Sequence, residues 1–235
     1  MPEKDRTIIA AENDPQMPAL RRPRAWRSPS AWMLLLFVFA GGLALDLGSK
    51  SWAFNNVANF PVNIPRDLML ADPNYNPVPY HTPRHVVPGV LDFRLVVNRG
   101  AVFGIGQNRR PFFIAFTVVA IFIGVLLFAR WTAVHHRLAH LAIGLILAGG
   151  VGNLWDRFQY VAVRDFLHLF PDLHLPFNVH WPGGNPEVFP WVFNIADMML
   201  LAGMVLLMFH INRAEARRKK IEVDPPDAEL EESAA

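Results

Sequence analysis

Four long stretches of this chain carry almost no charge, and they decide what it can fold into. Residues 28–45 and 111–129 hold no ionisable side chain. Residues 138–155 are interrupted only by His140, and residues 188–211 only by Asp197 and a closing His210. A helix that crosses a hydrocarbon core of roughly 30 Å needs about 20 apolar residues. Each stretch fits that length. None shows a polar stripe at helical period, so each is apolar on every side, as a lipid-facing helix is. A soluble helical core is the competing reading for the last three. A composition of 52% hydrophobic and 18% charged residues favours the bilayer. A cleavable signal peptide competes for the first stretch, which has a basic lead (Arg21, Arg22, Arg24, Arg27) and small residues near Ala44. That stretch is long for a signal peptide and leads directly into Asp46 and Lys50.

The basic residues set an orientation. They crowd the first 29 residues, flank the turn between the second and third stretches (Arg130, Arg137), and follow the fourth (Arg213, Arg217, Arg218, Lys219, Lys220). The positive-inside rule puts these three places in the cytoplasm, with both termini inside. The organisation expected is a cytoplasmic segment over 1–29, a four-helix membrane unit over 30–212, and a disordered cytoplasmic tail over 213–235. Outer insertions fall at about 55–110 and 158–187. The first insertion is dense in proline from residue 55 to 88 and cannot be helical throughout. Residues 90–97 alternate as a strand, with Phe93, Leu95 and Val97 on one face and Asp92 and Arg94 on the other. Asn98, Arg99 and Gly100 signal a turn, and residues 101–105 read as a returning strand. The fold expected is therefore mainly α, with four transmembrane helices, a small extracytoplasmic β-sheet and irregular outer loops. Residues 168–187 are rich in proline, glycine, histidine and aromatics, and read as an irregular amphipathic piece at the interface.

Ionisable groups in or beside a span are costly and mark function by default. Here they gather at one level. Asp46 and Lys50, four residues apart on helix one, share a face and can pair. Asp156 and Arg157 end helix three, and Asp165 follows in what reads as a loop. Asp197 lies seven residues past Pro190, about 10 Å along helix four at 1.5 Å per residue. The topology puts all of them toward the outer face. Two carboxylates in one buried site cannot both ionise cheaply, so one keeps a proton. Such a pair can activate a water and protonate a carbonyl oxygen, which is aspartic-protease chemistry. The competing reading makes Asp165 and Asp197 separate helix-end or ion-pairing residues.

Five motifs then stand in order along the chain: Asp46-Leu47-Gly48-Ser49-Lys50, the run from Asn98 to Gly104, the glycine-rich run from Gly149 to Arg157, Val163-Arg164-Asp165-Phe166, and Phe193-Asn194-Ile195-Ala196-Asp197. Together they resemble the lipoprotein signal peptidase (signal peptidase II) family, over about residues 31 to 212. The resemblance implies an aspartyl endopeptidase of the bacterial inner membrane with Asp165 and Asp197 as catalytic dyad. It implies that Asn98, Gly100, Gly152, Asn153, Arg157, Asn194 and Ala196 line the site or hold substrate, with Asp46 and Lys50 supporting. It implies no cofactor and no metal. The substrate implied is a prolipoprotein, cut before its diacylglyceryl-cysteine, with membrane lipid as the surrounding partner and a monomeric enzyme. Three departures stand out: Val102 after Ala101, His168 where an acidic residue is frequent, and outer loops longer than usual.

Other classes were weighed on the residues alone. An intramembrane proton or ion transporter would also use buried aspartates, although four spans without repeats make a thin scaffold for alternating access. A membrane assembly scaffold would use the charged groups as contacts. His136 and His140, and His168, His174 and His180, invite a metal, but no cysteine or carboxylate stands at zinc-site spacing. The absence of cysteine excludes a disulfide scaffold and a thiol nucleophile. A net charge of +2 gives no nucleic-acid footprint.

Overall fold

The computed structural model describes residues 24–100, 109–181 and 184–223. Four helices are long and apolar enough to cross a membrane: α1 (Pro29–Asn56), α3 (Arg110–Trp131), α4 (Arg137–Tyr160), and α5 (Ile195–Val223), whose apolar run ends at Ile211, before Arg213. A short outer helix, α2 (Arg66–Ala71), follows α1. Four short strands, β1 (Arg84–Val87), β2 (Leu91–Asn98), β3 (Val163–Leu169) and β4 (Val192–Phe193), form one antiparallel sheet in the order β1-β2-β3-β4.

Local chemistry sets the helix ends. Ser28 caps α1 by accepting from Ala31 N, and Pro29 fits the first helical position because it has no N–H to leave unpaired. Pro111 stands one position further in, second in α3, where its missing N–H is likewise among those with no partner in the helix. Helix α4 stops at Val161, whose φ of 69° is left-handed, an uncommon place for a β-branched side chain. The chain there reverses from α4 into β3 within two residues, so the end of α4 and the start of β3 stay together.

Helix α4 is central and packs against α1, α3 and α5. Of its most apolar window 61% is buried, against 17%, 11% and 17% in the other three, which turn the rest of their surface outward to lipid. Small residues permit this close contact. A methyl group built on Gly149 would overlap the carbonyl of Ala196 at the start of α5, and one on Gly144 would press 3.0 Å from Val38 of α1. Beneath the sheet lies a second core, formed by Phe54 and Val57 from the end of α1, Met69 of α2, Leu95 of β2, and Phe166 and Leu167 of β3.

Several expectations are revised. The fourth apolar stretch is not helical from residue 188: β4 and Asn194 come first, and α5 begins at Ile195. Asp197 therefore sits in the first turn of α5, not some 10 Å inside it. Asp165 is on strand β3, not in a loop, because it continues a run that pairs with β2. Helix α5 runs on through Val223, although 213–235 was expected to be disordered. Asp92 is buried at 2% exposure, where the alternation had turned it outward; its carboxylate meets His85 Nδ1 at 2.8 Å. The expected returning strand at 101–105, the first 20 residues and the acidic end of the tail lie outside the described residues.

A bulge explains how the sheet serves the site. The β2–β3 register slips by one between Phe93 and Val96. Before the slip Phe93 faces Leu167; after it Val96 faces Asp165. Without the slip Asp165 would oppose Leu95, three residues from Asn98 and so on the opposite face. With it, Asn98 and Asp165 project from the same face.

Candidate active site

The motif Phe193-Asn194-Ile195-Ala196-Asp197 acts first as a helix cap. Asn194 Oδ1 accepts from Asp197 N at 3.1 Å, and Asp197 Oδ2 accepts from Asn194 N at 3.2 Å. This is the reciprocal capping-box arrangement, with Asn and Asp in its two positions. It fixes the Asp197 carboxylate at the mouth of α5. The same Asn194 then reaches the second acid, because its Nδ2 donates to Asp165 Oδ1 at 2.6 Å. One fully buried residue thus holds both carboxylates, Asp165 through its side-chain amide and Asp197 through its backbone N–H.

Two further amides complete the cradle. Asn98 Nδ2 donates to Asp165 Oδ2 at 3.0 Å, and Asn98 Oδ1 accepts from Gly100 N at 2.9 Å. Asn153 Nδ2 donates to Asp197 Oδ1 at 2.9 Å. Asn153 Oδ1 in turn accepts from Lys50 Nζ at 2.9 Å and Asn194 Nδ2 at 3.2 Å. Burial first, and then the facing Asp197 carboxylate, push the Asp165 carboxyl well above the ordinary carboxylate range.

Behind the acids runs a chain of buried charges. Lys50 Nζ lies 2.8 Å from Asp46 Oδ2 and 3.6 Å from Asp156 Oδ2. Asp46 Oδ1 accepts from Ala196 N at 2.9 Å, one residue before Asp197. A methyl on Gly152 would overlap the Asp46 carboxylate, so only glycine admits this packing. Asp156 is clamped by Arg164, whose Nη2 donates at 2.8 Å and whose backbone N donates at 3.0 Å. Arg157 is nine-tenths buried; its guanidinium donates to the carbonyls of Gly100 at 3.1 Å and Asn153 at 3.3 Å and lies 5.3 Å from the Phe113 ring.

The residues that the resemblance assigns to the site are all in this network. Asp165 and Asp197 are bridged by Asn194; Asn98, Asn153, Asp46 and Lys50 contribute side chains; Gly100 and Ala196 contribute backbone; Gly152 contributes space; Arg157 joins β2's exit to α4. Arg164 was missed as a partner of Asp156, although its place next to Asp165 in a strand was the available signal. The apolar wall was missed too. Both carboxylates open onto a cavity of about 350 Å³ lined by Phe113, Thr117 and Ile121 of α3, Gly150 of α4 and Leu200 of α5. Among the described residues no group of three His, Cys, Asp or Glu side chains is placed to hold a metal.

A family model described as signal peptidase (SPase) II matches residues 38–213, most of the chain and all of this network. The chain belongs to the signal peptidase II family. Its relatives in that family include a lipoprotein signal peptidase of Geobacter metallireducens, 38% identical over 57% of this chain and 76% of that protein. Another from Clostridium tetani is 27% identical over 75% of this chain and 90% of its own length. A solved chain titled as a bacterial membrane enzyme superposes with a TM-score of 0.56 at 21% identity, covering 83% of this chain and 94% of that one, which supports the fold. As a member of the signal peptidase II family the chain is a membrane peptidase with four spanning helices and a small sheet.

Proposed function

We propose that this peptidase is of the aspartic type, with Asp165 and Asp197 as its dyad, and that it removes the signal peptide from prolipoproteins ahead of a diacylglyceryl-cysteine. The observation that carries the reading is the double grip of Asn194, which ties both carboxylates together at the head of an apolar cavity. One ionised carboxylate takes a proton from water held between the pair. The water attacks the scissile carbonyl while the protonated partner donates to the carbonyl oxygen. The acid that took the water proton then passes it to the departing nitrogen, and the partner takes its proton back as the C–N bond breaks and the carboxylic acid and amine form. The buried amides hold each acid by one or two hydrogen bonds and leave lone pairs for water and substrate.

The cavity suits the substrate. Its phenylalanine and aliphatic walls descend from the acids between α3, α4 and α5, where an acyl chain or a signal helix already in the bilayer could enter without leaving lipid. The dyad, its amides and its cavity all come from one chain, so the reading needs no second copy. The basic flanks support a reading with both termini in the cytoplasm of an inner membrane and the dyad toward the outer face. The catalytic unit spans 30–212, with 1–29 and 213–235 as cytoplasmic flanks.

The test is cleavage in lipid vesicles. A diacylglyceryl-modified precursor should be cut at the modified cysteine, and the unmodified precursor should remain intact. A modified precursor left uncut by well-folded protein overturns the substrate assignment.

The raised Asp165 carboxyl predicts a pH dependence. The mechanism needs one proton and one charge on the pair. Activity falls on the alkaline side as the pair loses its last proton. Stability moves in the same direction. Unfolded Asp165 ionises in the ordinary carboxylate range, while the folded group holds its proton to higher pH. Its contribution to stability is therefore full below the unfolded pKa and is lost progressively as pH rises toward the folded one. Melting curves against pH should show this slope in the native chain and lose it in Asp165→Asn.

A further inference from the structure

We infer that the arm 170–181, in the long insertion between β3 and β4, is an interfacial anchor that seats its tip in the outer leaflet, at the boundary of headgroups and acyl chains. The tip is apolar and open. Phe177 is 96% exposed, Val179 53% and Leu173 51%. Residues 173–186 contain no Asp, Glu, Lys or Arg. A tip that carries no Asp, Glu, Lys or Arg, with His174 and His180 as its ionisable groups and a fully exposed phenylalanine, is an aggregation hazard in water and a fit for the interface.

The exposure is built into a folded element. Leu175 N donates to Pro186 O at 2.8 Å and Val188 N to Leu173 O at 2.7 Å, so the arm is one side of a tied hairpin. Trp181 Nε1 donates to Glu187 O at 2.9 Å, and the Trp181 ring packs edge-on against Trp191 at 4.7 Å. At the base His168 Nε2 meets Glu187 Oε2 at 3.1 Å, joining the insertion to β3. Phe177 and Asn178 both have φ of 59°, which fixes the turn that leaves the phenylalanine ring uncovered.

Position selects lipid as the occupant. The hairpin returns into β4, which pairs Leu167 with Phe193, and two residues later Ile195 opens the membrane-spanning α5. Its base is therefore continuous with the outer end of a span. Indole rings at this base, Trp181 and Trp191, are the side chains that prefer the headgroup level. A seated tip holds β3, and so Asp165, at a fixed height over the bilayer.

The absence of native cysteine allows a direct test. A nitroxide on Phe177→Cys in the full chain, reconstituted in phospholipid vesicles, should collide more often with oxygen than with a water-soluble nickel chelate. The same order should appear at Phe116→Cys, a 63% exposed site on α3. Nickel collisions that dominate would place the tip in water and overturn the inference. Protection from both relaxants would place it against another protein surface and overturn it equally. Val179→Cys repeats the measurement if the first variant misfolds, and adding Phe177→Asp should shift that label toward the nickel chelate.

Discussion

Asp197→Asn and Asp165→Asn should each reduce cleavage of the lipidated precursor by about 10²- to 10⁴-fold, the usual contribution of a positioned acid or base. Both changes are nearly isosteric, so the fold should survive and the loss should appear in kcat. The two are not equivalent. Asp165 accepts from two amide NH₂ groups, those of Asn98 and Asn194. An amide at 165 must turn its own NH₂ toward one of these donors, which sets donor against donor in a buried place and leaves that hydrogen bond unmade. That should cost about 1–3 kcal/mol as well. Asp197 accepts at Oδ1 from Asn153 and at Oδ2 from the backbone N of Asn194, so an amide there meets the same conflict on one side, with more exposure to relieve it. Asp165→Asn should therefore lower the melting temperature more than Asp197→Asn, while both remove activity. If either variant keeps cleavage within tenfold of the native enzyme, the dyad assignment fails. Because the two acids act as a unit, the double variant should be no slower than the worse single one.

The bilayer helices were legible because each depends only on local composition. A span needs length and apolarity, and both are visible in the string of residues. Topology brings Asp165 and Asp197 to one level together with Asp46, Lys50, Asp156 and Arg157, but it does not choose among them; the resemblance of the motifs singled out the two acids. What could not be read was anything set by register or by the exact turn at which an element begins. Asp197 was placed about 10 Å inside the helix at 1.5 Å per residue because Pro190 looked like a helix start, whereas the Asn194 cap, visible only once its reciprocal bonds with Asp197 are seen, defines the real one. Asp92 precedes the bulge and is buried between His85 of β1 and His168 of β3, neighbours that the alternation of 90–97 cannot show. Arg164 was overlooked since its partner Asp156 belongs to a helix that the chain leaves by an unusual left-handed Val161. The cavity walls on α3 had no sequence signal at all, because a phenylalanine facing a cavity and one facing lipid are the same letter.

Removing the buried ammonium should damage the protein more than removing any other single group behind the dyad. In Lys50→Met the side chain keeps most of its length and loses only its charge and donors. Lys50 Nζ serves Asp46, Asn153 and Asp156 within 3.6 Å, and both charged partners are fully buried. Asp156 retains Arg164, so its charge stays compensated. Among the described residues Asp46 then retains only the backbone N of Ala196 and would hold a buried charge without a cation. Breaking a buried pair from one side typically costs about 3–5 kcal/mol. A double variant, Asp46→Asn with Lys50→Met, should recover a large part of that loss, since it removes the orphaned charge together with its partner. The recovery separates a pairing effect from a packing effect. Activity should not recover with stability. Asn153 Oδ1 has lost its ammonium and keeps the longer bond from Asn194 Nδ2 at 3.2 Å, so the amide that points Nδ2 at Asp197 is held less firmly. The double variant should therefore melt closer to the native enzyme yet cleave the lipidated precursor slowly, with the loss in kcat and not in KM. Equal recovery of stability and kcat would mean that Lys50 only fills space behind the site and does not orient Asn153 toward Asp197.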